Sequence, residues 1–357
     1  MKKHLFAICF SAALVVFSAY FALDTFVISK SYSSAVEMNT TMFAEVSASE
    51  SSEQSTSSAG QAEEQVAQQQ GGSFGYHRSR GRGGRPNLNR ASPSFRGSSA
   101  NSGSSSANNS SSTDALSSSA GSTSYQNDNV SITLNTYRVN DTTVYVADVT
   151  LSSAQYLKTA FANNTYGKNV TATTSSIAQA NNAVLAINGD YYGVQEKGYV
   201  IRNGVVYRNT AKGSDVLCVY ADGSMEVVSD RDYSAEELVA KGVWQAFSFG
   251  PALVESGSVA VGVNTEVGKA MASNPRTAIG LIDKNHFAFV VSDGRTSESA
   301  GLSVYELANF MQSLGVQTAY NLDGGGSSTM VFNGVVVNKP TTMGRICERC
   351  VSDIVYI

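Results

Sequence analysis

The run Asn321-Leu322-Asp323-Gly324-Gly325-Gly326-Ser327-Ser328-Thr329 holds the densest chemistry in the chain. The apolar stretch Thr318-Ala319-Tyr320 before it reads as a strand, and Met330-Val331-Phe332 after it reads as another. A strand that ends in one carboxylate and three glycines exposes backbone N–H groups beside a negative side chain. Glycine lets the chain turn sharply and lets a ligand approach the backbone closely. Successive N–H groups in such a turn form an anion-binding nest. The arrangement suits a ligand with an electrophilic carbon and an attached anionic group; the bland alternative is a glycine-rich hairpin.

Two more strand ends share this design. Ala186-Ile187-Asn188-Gly189-Asp190-Tyr191-Tyr192 and Val290-Val291-Ser292-Asp293-Gly294-Arg295 each set a carboxylate beside a glycine. Turns favour Asp-Gly on their own account, but three such loops raise the expectation of one shared site. Asn274-Pro275-Arg276-Thr277 and Glu348-Arg349 add guanidinium groups just before strands. A planar guanidinium is the preferred clamp for a pair of phosphate oxygens, although most arginines serve on surfaces or in ion pairs. A serine nucleophile at Ser327 or Ser328 is disfavoured. The surroundings are not Gly-x-Ser-x-Gly, and His286 is expected in a hairpin turn, Asp283-Lys284-Asn285-His286. A dinucleotide fold is disfavoured because no helix is expected after the three glycines.

The elements that must position these loops are mostly strands. Tyr199–Arg202 and Val205–Tyr207 flank Asn203-Gly204; Leu217–Tyr220 and Met225–Val228 flank Asp222-Gly223; Met330–Phe332 and Val335–Val337 flank Asn333-Gly334. Those dipeptides supply the positive φ that tight hairpins need. Further strands are expected at Val144–Val149, Val184–Ile187, Thr277–Ile282, Phe287–Val291 and Ile354–Ile357. Helices are expected at Ser175–Asn181, from Ser234 to Lys241 and from Ser303 to Leu314. The last two open on Ser-x-x-Glu capping boxes. The fold class is therefore α+β, with mixed or largely antiparallel sheets and a few packed helices.

The chain has 357 residues and a net charge of −4, which implies no bulk attraction to nucleic acid. Lys2 and Lys3 precede an apolar run from Leu5 to Leu23, long enough to span a bilayer as one helix with the remainder outside. The run is longer than a usual signal-peptide core and lacks a small-x-small exit, which favours an uncleaved anchor over residues 1–28. Residues 29–125 are rich in Ser, Gly, Gln and Asn and are expected to form a disordered tether. Within it lie Arg78, Arg80, Arg82, Arg85, Arg90 and Arg96, a patch suited to anionic wall polymers or lipid head groups if it has a specific role. Residues 126–357 form the expected catalytic domain. Cys218 reads as a core residue. Cys347 and Cys350 have half of a zinc-site spacing and no second half, so a short disulfide or two free thiols are expected.

Five segments occur in order: Ile187-Asn188-Gly189-Asp190-Tyr191-Tyr192, Gly250-Pro251-Ala252-Leu253-Val254, Asn274-Pro275-Arg276-Thr277-Ala278, Val291-Ser292-Asp293-Gly294-Arg295 and Asn321 to Ser327. Together they resemble the phosphodiester glycosidase domain family, over roughly Tyr137 to Ile357. In many relatives the first motif reads Asn-Gly-Gly-Phe-Phe; here Asp190 and two tyrosines depart from it. The resemblance implies a membrane-anchored extracellular hydrolase that cleaves the glycosidic bond of sugar-1-phosphodiesters in surface or exported glycans such as exopolysaccharides. A phosphomonoester is a good leaving group, so the needs are a carboxylate as nucleophile or base and a cradle for the phosphate. The expected carboxylates are Asp323 and Asp190, with Asp293 as a third candidate or as a support for Arg295. Arg276 and Arg349 are expected to hold phosphate, beside Arg295, Thr277, Gly189 and the amides of Gly324, Gly325 and Gly326. Asn188 and Ser327 would bond sugar hydroxyls or an acetamido group, and Tyr191 or Tyr192 would stack on the ring. The alternatives are a noncatalytic glycan-binding module and a metal-dependent phosphodiesterase. For the latter, the clustered aspartates are candidate ligands for a divalent ion such as Ca²⁺, although their spacing matches no EF-hand loop.

Overall fold

The computed structural model describes residues 2–32, 123–267 and 273–357. Residues 33–122, which hold the arginine patch and most of the expected tether, lie outside the described residues. Every strand pair among the described residues is antiparallel, so the sheets are not mixed. The largest sheet has eight strands in the order Ser258–Val259, Ala252–Glu255, Thr318–Asn321, Arg276–Asp283, His286–Ser292, Thr142–Leu151, Val130–Val139 and Ser124–Gln126. A second, of five strands, runs Val335–Val336, Met330–Phe332, Leu185–Asn188, Asp353–Tyr356 and Lys158–Phe161. A third runs Val205–Arg208, Val200–Arg202, Val243–Phe247, Asp215–Tyr220 and Met225–Ser229.

The local reasons are those legible in the chain. Asn203 and Gly204, and Asn333 and Gly334, have the positive φ values that close their hairpins. Ser234 and Ser303 accept from the N–H of Glu237 and Glu306, and each glutamate reaches back to the cap. Helix Val304–Ser313 then lays Val304, Leu307, Ala308 and Met311 on Val144, Ala278, Val290 and Leu253 of the large sheet. The main core lies where the sheets face one another, with Ile132, Val149, Ile279 and Phe289 meeting Leu185 and Ile187 of the second sheet and Leu217 and Phe247 of the third.

The N-terminal apolar run forms the helix Lys2–Phe26. Among the described residues no helix is long and apolar enough to cross a membrane. Residues 29–32, expected as the start of a free tether, instead lie on the folded domain. Lys30–Ser31 is a strand paired with Gly167–Lys168. His286 opens the strand His286–Ser292 and does not sit in a turn; its Nε2 is 2.8 Å from Asp148 Oδ1.

One buried charge cluster ties the sheets together behind the strand ends. The Arg202 guanidinium donates to Asp190 Oδ1 and Asp353 Oδ2, each at 2.8 Å, and lies 4.3 Å from the Phe247 ring centre. Its side chain is 1% exposed, and those of Asp190 and Asp353 are 3% and 0% exposed, so one cation is shared by two carboxylates out of reach of water. Burial and the charge of Asp190 raise Asp353 to about 7, and Arg202 opposes the shift. Removing the cation leaves buried carboxyls without a counter-charge, a change that typically costs about 3–5 kcal/mol. Arg202→Leu is therefore expected to lower unfolding free energy by about that much at pH 8, with part of the loss recovered at pH 5 as the Asp353 carboxyl protonates. Urea unfolding at the two pH values checks this, and equal loss at both would contradict it.

Candidate active site

Asp323 stands just beyond the strand Thr318–Asn321, where the large sheet meets the end of Leu185–Asn188 in the second sheet. Its position is set by backbone and amide bonds across that seam. Its N–H donates to Gly189 O at 3.3 Å, and its own carbonyl accepts from Asn188 Nδ2 at 2.7 Å. Asn188 is fully buried, and its Oδ1 also accepts from Thr277 Oγ1 at 2.8 Å and from Thr329 N at 3.2 Å. One asparagine thus joins both sheets to the two ends of the glycine loop. Thr277 is spent in the same bond and is fully buried.

The Ser327 hydroxyl, Arg349 and the Gly324 N–H lie near the Asp323 carboxyl and favour its charge. Burial nevertheless dominates and raises its pKa to about 6. Arg349 Nη1 also donates to Ser327 Oγ at 3.4 Å. Ser327 is no nucleophile: it is 1% exposed, and the one histidine of the expected catalytic domain is engaged with Asp148.

The glycines make room for the cations. Gly325 has φ +63, and a Cβ built on it would lie 2.9 Å from Arg295 Nη2. A Cβ on Gly326 would lie 2.8 Å from Arg349 Nη2. Two guanidinium groups therefore rest against the bare backbone of the loop. Arg295 itself has φ +60, a left-handed backbone that costs a non-glycine residue about 1–2 kcal/mol. Asn274 Oδ1 receives both its Nε, at 3.1 Å, and its Nη2, at 2.8 Å. Arg276 donates Nε–H to Leu302 O at 2.9 Å, and burial together with the like charge of Arg295 lowers it to about 10. The backbone here spends strain and like-charge repulsion to hold cations together, a pattern found where an anion is to be bound.

These groups face a cavity of about 870 Å³ whose lining includes Asp323, Gly324, Gly325, Arg276, Arg295, Arg349 and Tyr191. Asn274, Asn321, Gln195, Lys212, Asp215 and Glu266 also line it, and sequence reasoning assigned none of them a role. Asn321 is the most informative omission. Its Nδ2 donates to Gly250 O at 2.8 Å, while its buried Oδ1 has no hydrogen-bond partner.

Other expected residues stand behind the cavity and do not line it. Asp190 is corrected from catalytic candidate to structural partner, because its carboxylate accepts from Arg202, Tyr192 N and Ser248 N and is turned into the core. Asp293 is corrected likewise. It accepts from Lys339 N at 2.7 Å and from the Tyr145 hydroxyl at 3.5 Å, and burial raises its pKa. Asn188, Gly189, Thr277, Gly326 and Ser327 shape the loop from below, so Asn188 and Ser327 are corrected from sugar ligands to supports. Tyr192 is 3% exposed and stacks on Tyr166 at 5.2 Å, so of the tyrosine pair only Tyr191 reaches the cavity. Among the described residues no cluster of three or more His, Cys, Asp or Glu is arranged to hold a metal. Cys347 and Cys350 are free thiols, and Cys218 is buried with its pKa pushed up to about 12.

All of the cavity's loops fall within one stretch of chain, and that stretch matches the model of a known family, described as phosphodiester glycosidase. Residues 181–357 belong to the phosphodiester glycosidase family. YomE, an SPbeta prophage-derived uncharacterized protein of Bacillus subtilis, is 29% identical over 191 residues, 52% of this chain and 29% of that protein. Human N-acetylglucosamine-1-phosphodiester alpha-N-acetylglucosaminidase is 40% identical over 87 residues, 23% of this chain and 16% of that enzyme. The chain thus spans less than a third of the length of these relatives. The fold is similar to that of the zebrafish N-acetylglucosamine-1-phosphodiester alpha-N-acetylglucosaminidase catalytic domain, solved in a form auto-inhibited by its pro-peptide. That match has a TM-score of 0.51 at 20% identity over 67% of this chain and 84% of that one. A hypothetical protein from Synechocystis aligns with a TM-score of 0.50 at 14% identity, over 64% of this chain and 62% of that one. At such identities the likeness is one of fold.

The raised Asp323 has a stability consequence for this phosphodiester glycosidase domain. Its folded pKa, about 6, exceeds the ordinary aspartate value of 3.8, so the native state holds the proton more tightly than the unfolded chain. Ionising it in place therefore costs stability, from near pH 4 upward and in full above pH 6, by at most about 3 kcal/mol. Asp323→Asn is expected to raise the unfolding temperature at pH 8 and to leave it unchanged at pH 3.5. A loss of stability at pH 8 would contradict this reading.

Proposed function

We propose that this protein hydrolyses the glycosidic bond of sugar-1-phosphodiesters. The observation that carries the reading is the facing of the Asp323 carboxylate and of three guanidinium groups, Arg276, Arg295 and Arg349, into the same cavity. The phosphodiester sits against the arginines and the Gly324–Gly325 backbone, and the anomeric carbon meets Asp323. As the C1–O bond breaks, its electron pair passes to the phosphate oxygen, and the arginines hold the departing phosphomonoester. Such a leaving group needs no general acid. Asp323, ionised in roughly nine-tenths of molecules at pH 7, attacks C1 or takes a proton from the water that does. Tyr191 covers the sugar ring, and Asn321 Oδ1 accepts from a sugar hydroxyl or acetamido N–H.

The extracellular setting belongs to the same proposal. It rests on Lys2 and Lys3 preceding the apolar segment, an arrangement that favours a cytoplasmic N-terminus with the domain outside. The substrates to expect there are glycosylated wall polymers, phosphoglycans and exopolysaccharides.

The test is turnover of a panel of sugar-1-phosphodiesters in ¹⁸O-water. Label is expected in the released sugar and absent from the phosphate. Label in the phosphate would mean P–O cleavage and would overturn the proposed chemistry. Absence of turnover at every pH would leave a glycan-binding module. Because Asp323 acts as the anion, kcat/KM should rise with pH and level off above an inflection near 6. Asp323→Asn should lower kcat by about 10²-fold or more while substrate still binds.

A further inference from the structure

Five residues after the N-terminal helix make contacts that a free linker would not. Lys30 and Ser31 pair antiparallel with Lys168 and Gly167. Tyr32 N donates to Tyr166 O at 2.8 Å, and the two rings lie 5.9 Å apart. Asn169 binds the same segment twice: its Nδ2 donates to Ile28 O at 3.1 Å, and its carbonyl accepts from Ser29 Oγ at 2.9 Å. Lys30 Nζ turns back to Asp24 on the helix at 2.7 Å. Gly167 is fitted to this contact, because a Cβ there would lie 2.0 Å from Lys30 O. Without the segment, Gly167–Lys168 would be an open two-residue edge.

We propose that Ile28–Tyr32 is a docking strand that fixes the N-terminal helix directly to the catalytic domain by strand addition. The recognition uses main-chain bonds, a glycine that admits the partner backbone and one tyrosine pair. Tyr32 and Ser124 both sit on the domain that holds the cavity. The distance between the helix and the active site is then set by the few residues between Phe26 and Lys30. The docked Tyr32 also forms one wall of a second hollow of about 370 Å³, beside Tyr166, Tyr192, Tyr207 and Arg208. No residue of the segment lines the larger cavity, so docking and the proposed chemistry are separable.

The test uses the full chain with Cys9, Cys347 and Cys350 replaced by serine. Lys30→Cys with Lys168→Cys places two thiols across directly opposed strand positions, a spacing that a disulfide spans. Lys30→Cys with Glu255→Cys, an exposed position on the large sheet, is the control. Under mild oxidation the first pair should close in nearly every molecule and the second in almost none. In the same chain without new cysteines, the Tyr32 amide should exchange with deuterium at least tenfold more slowly than in a peptide of residues 24–40. Tyr32→Pro, which removes both the N–H donor and the ring that meets Tyr166 while leaving every residue of the domain unchanged, should cut the 30–168 cross-link severalfold. Equal closure of both pairs, exchange at the peptide rate, or indifference to Tyr32→Pro would each overturn the docking strand.

Discussion

Like charges held together need a reason, and Arg276 beside Arg295 is the constraint around which the site is arranged. Burial and their mutual repulsion make Arg276 easier to deprotonate than an ordinary arginine. The fold keeps them in place with carbonyl and amide oxygens, from Leu302 to Arg276 and from Asn274 to Arg295. Glycine at 325 and 326 lets Arg295 and Arg349 rest on the loop. A phosphate in the cavity would bring a negative charge against both guanidinium groups.

Asp323 is the counterpart to that cationic wall. Three groups favour its charge, namely Ser327, Gly324 N–H and Arg349, yet burial still lifts it toward neutrality. An acid poised near pH 6 can be ionised in the working range and remain reactive. Behind it, Asn188 fixes the loop geometrically, and the Arg202 cluster fixes the strand ends electrostatically. The positioning groups are buried in the seam between sheets, and the reacting groups face outward from it.

Much of the fold was legible in the sequence because its signals are local. Asn-Gly and Asp-Gly turns specify hairpins within a few residues, and the Ser-x-x-Glu boxes specify two helix starts. The long hairpin of Val130–Val139 and Thr142–Leu151 was legible only in part, as Val144–Val149, because its Asn140-Asp141 turn lacks glycine although both residues take positive φ. In the site, the sequence drew attention to Asp323 and the three arginines, and all four line one cavity. Asp190 was misassigned because its fate depends on Arg202, twelve residues on, in a strand that sequence alone reads as an ordinary hairpin arm. One signal was present: Tyr199-Val200-Ile201 runs apolar without alternation into Arg202, the pattern of a strand covered on both faces, where an arginine has to be paired. The docking of Ser29–Tyr32 gave no composition signal at all, because strand addition uses backbone groups common to every sequence.

The direct test of the central claim is a calorimetric titration of inorganic phosphate into the wild-type domain and into Arg276→Gln, Arg295→Gln and Arg349→Gln. If the three guanidinium groups share one anion, each substitution weakens phosphate binding by tenfold or more. Affinity for phosphate that is the same in the wild type and in all three variants would contradict it.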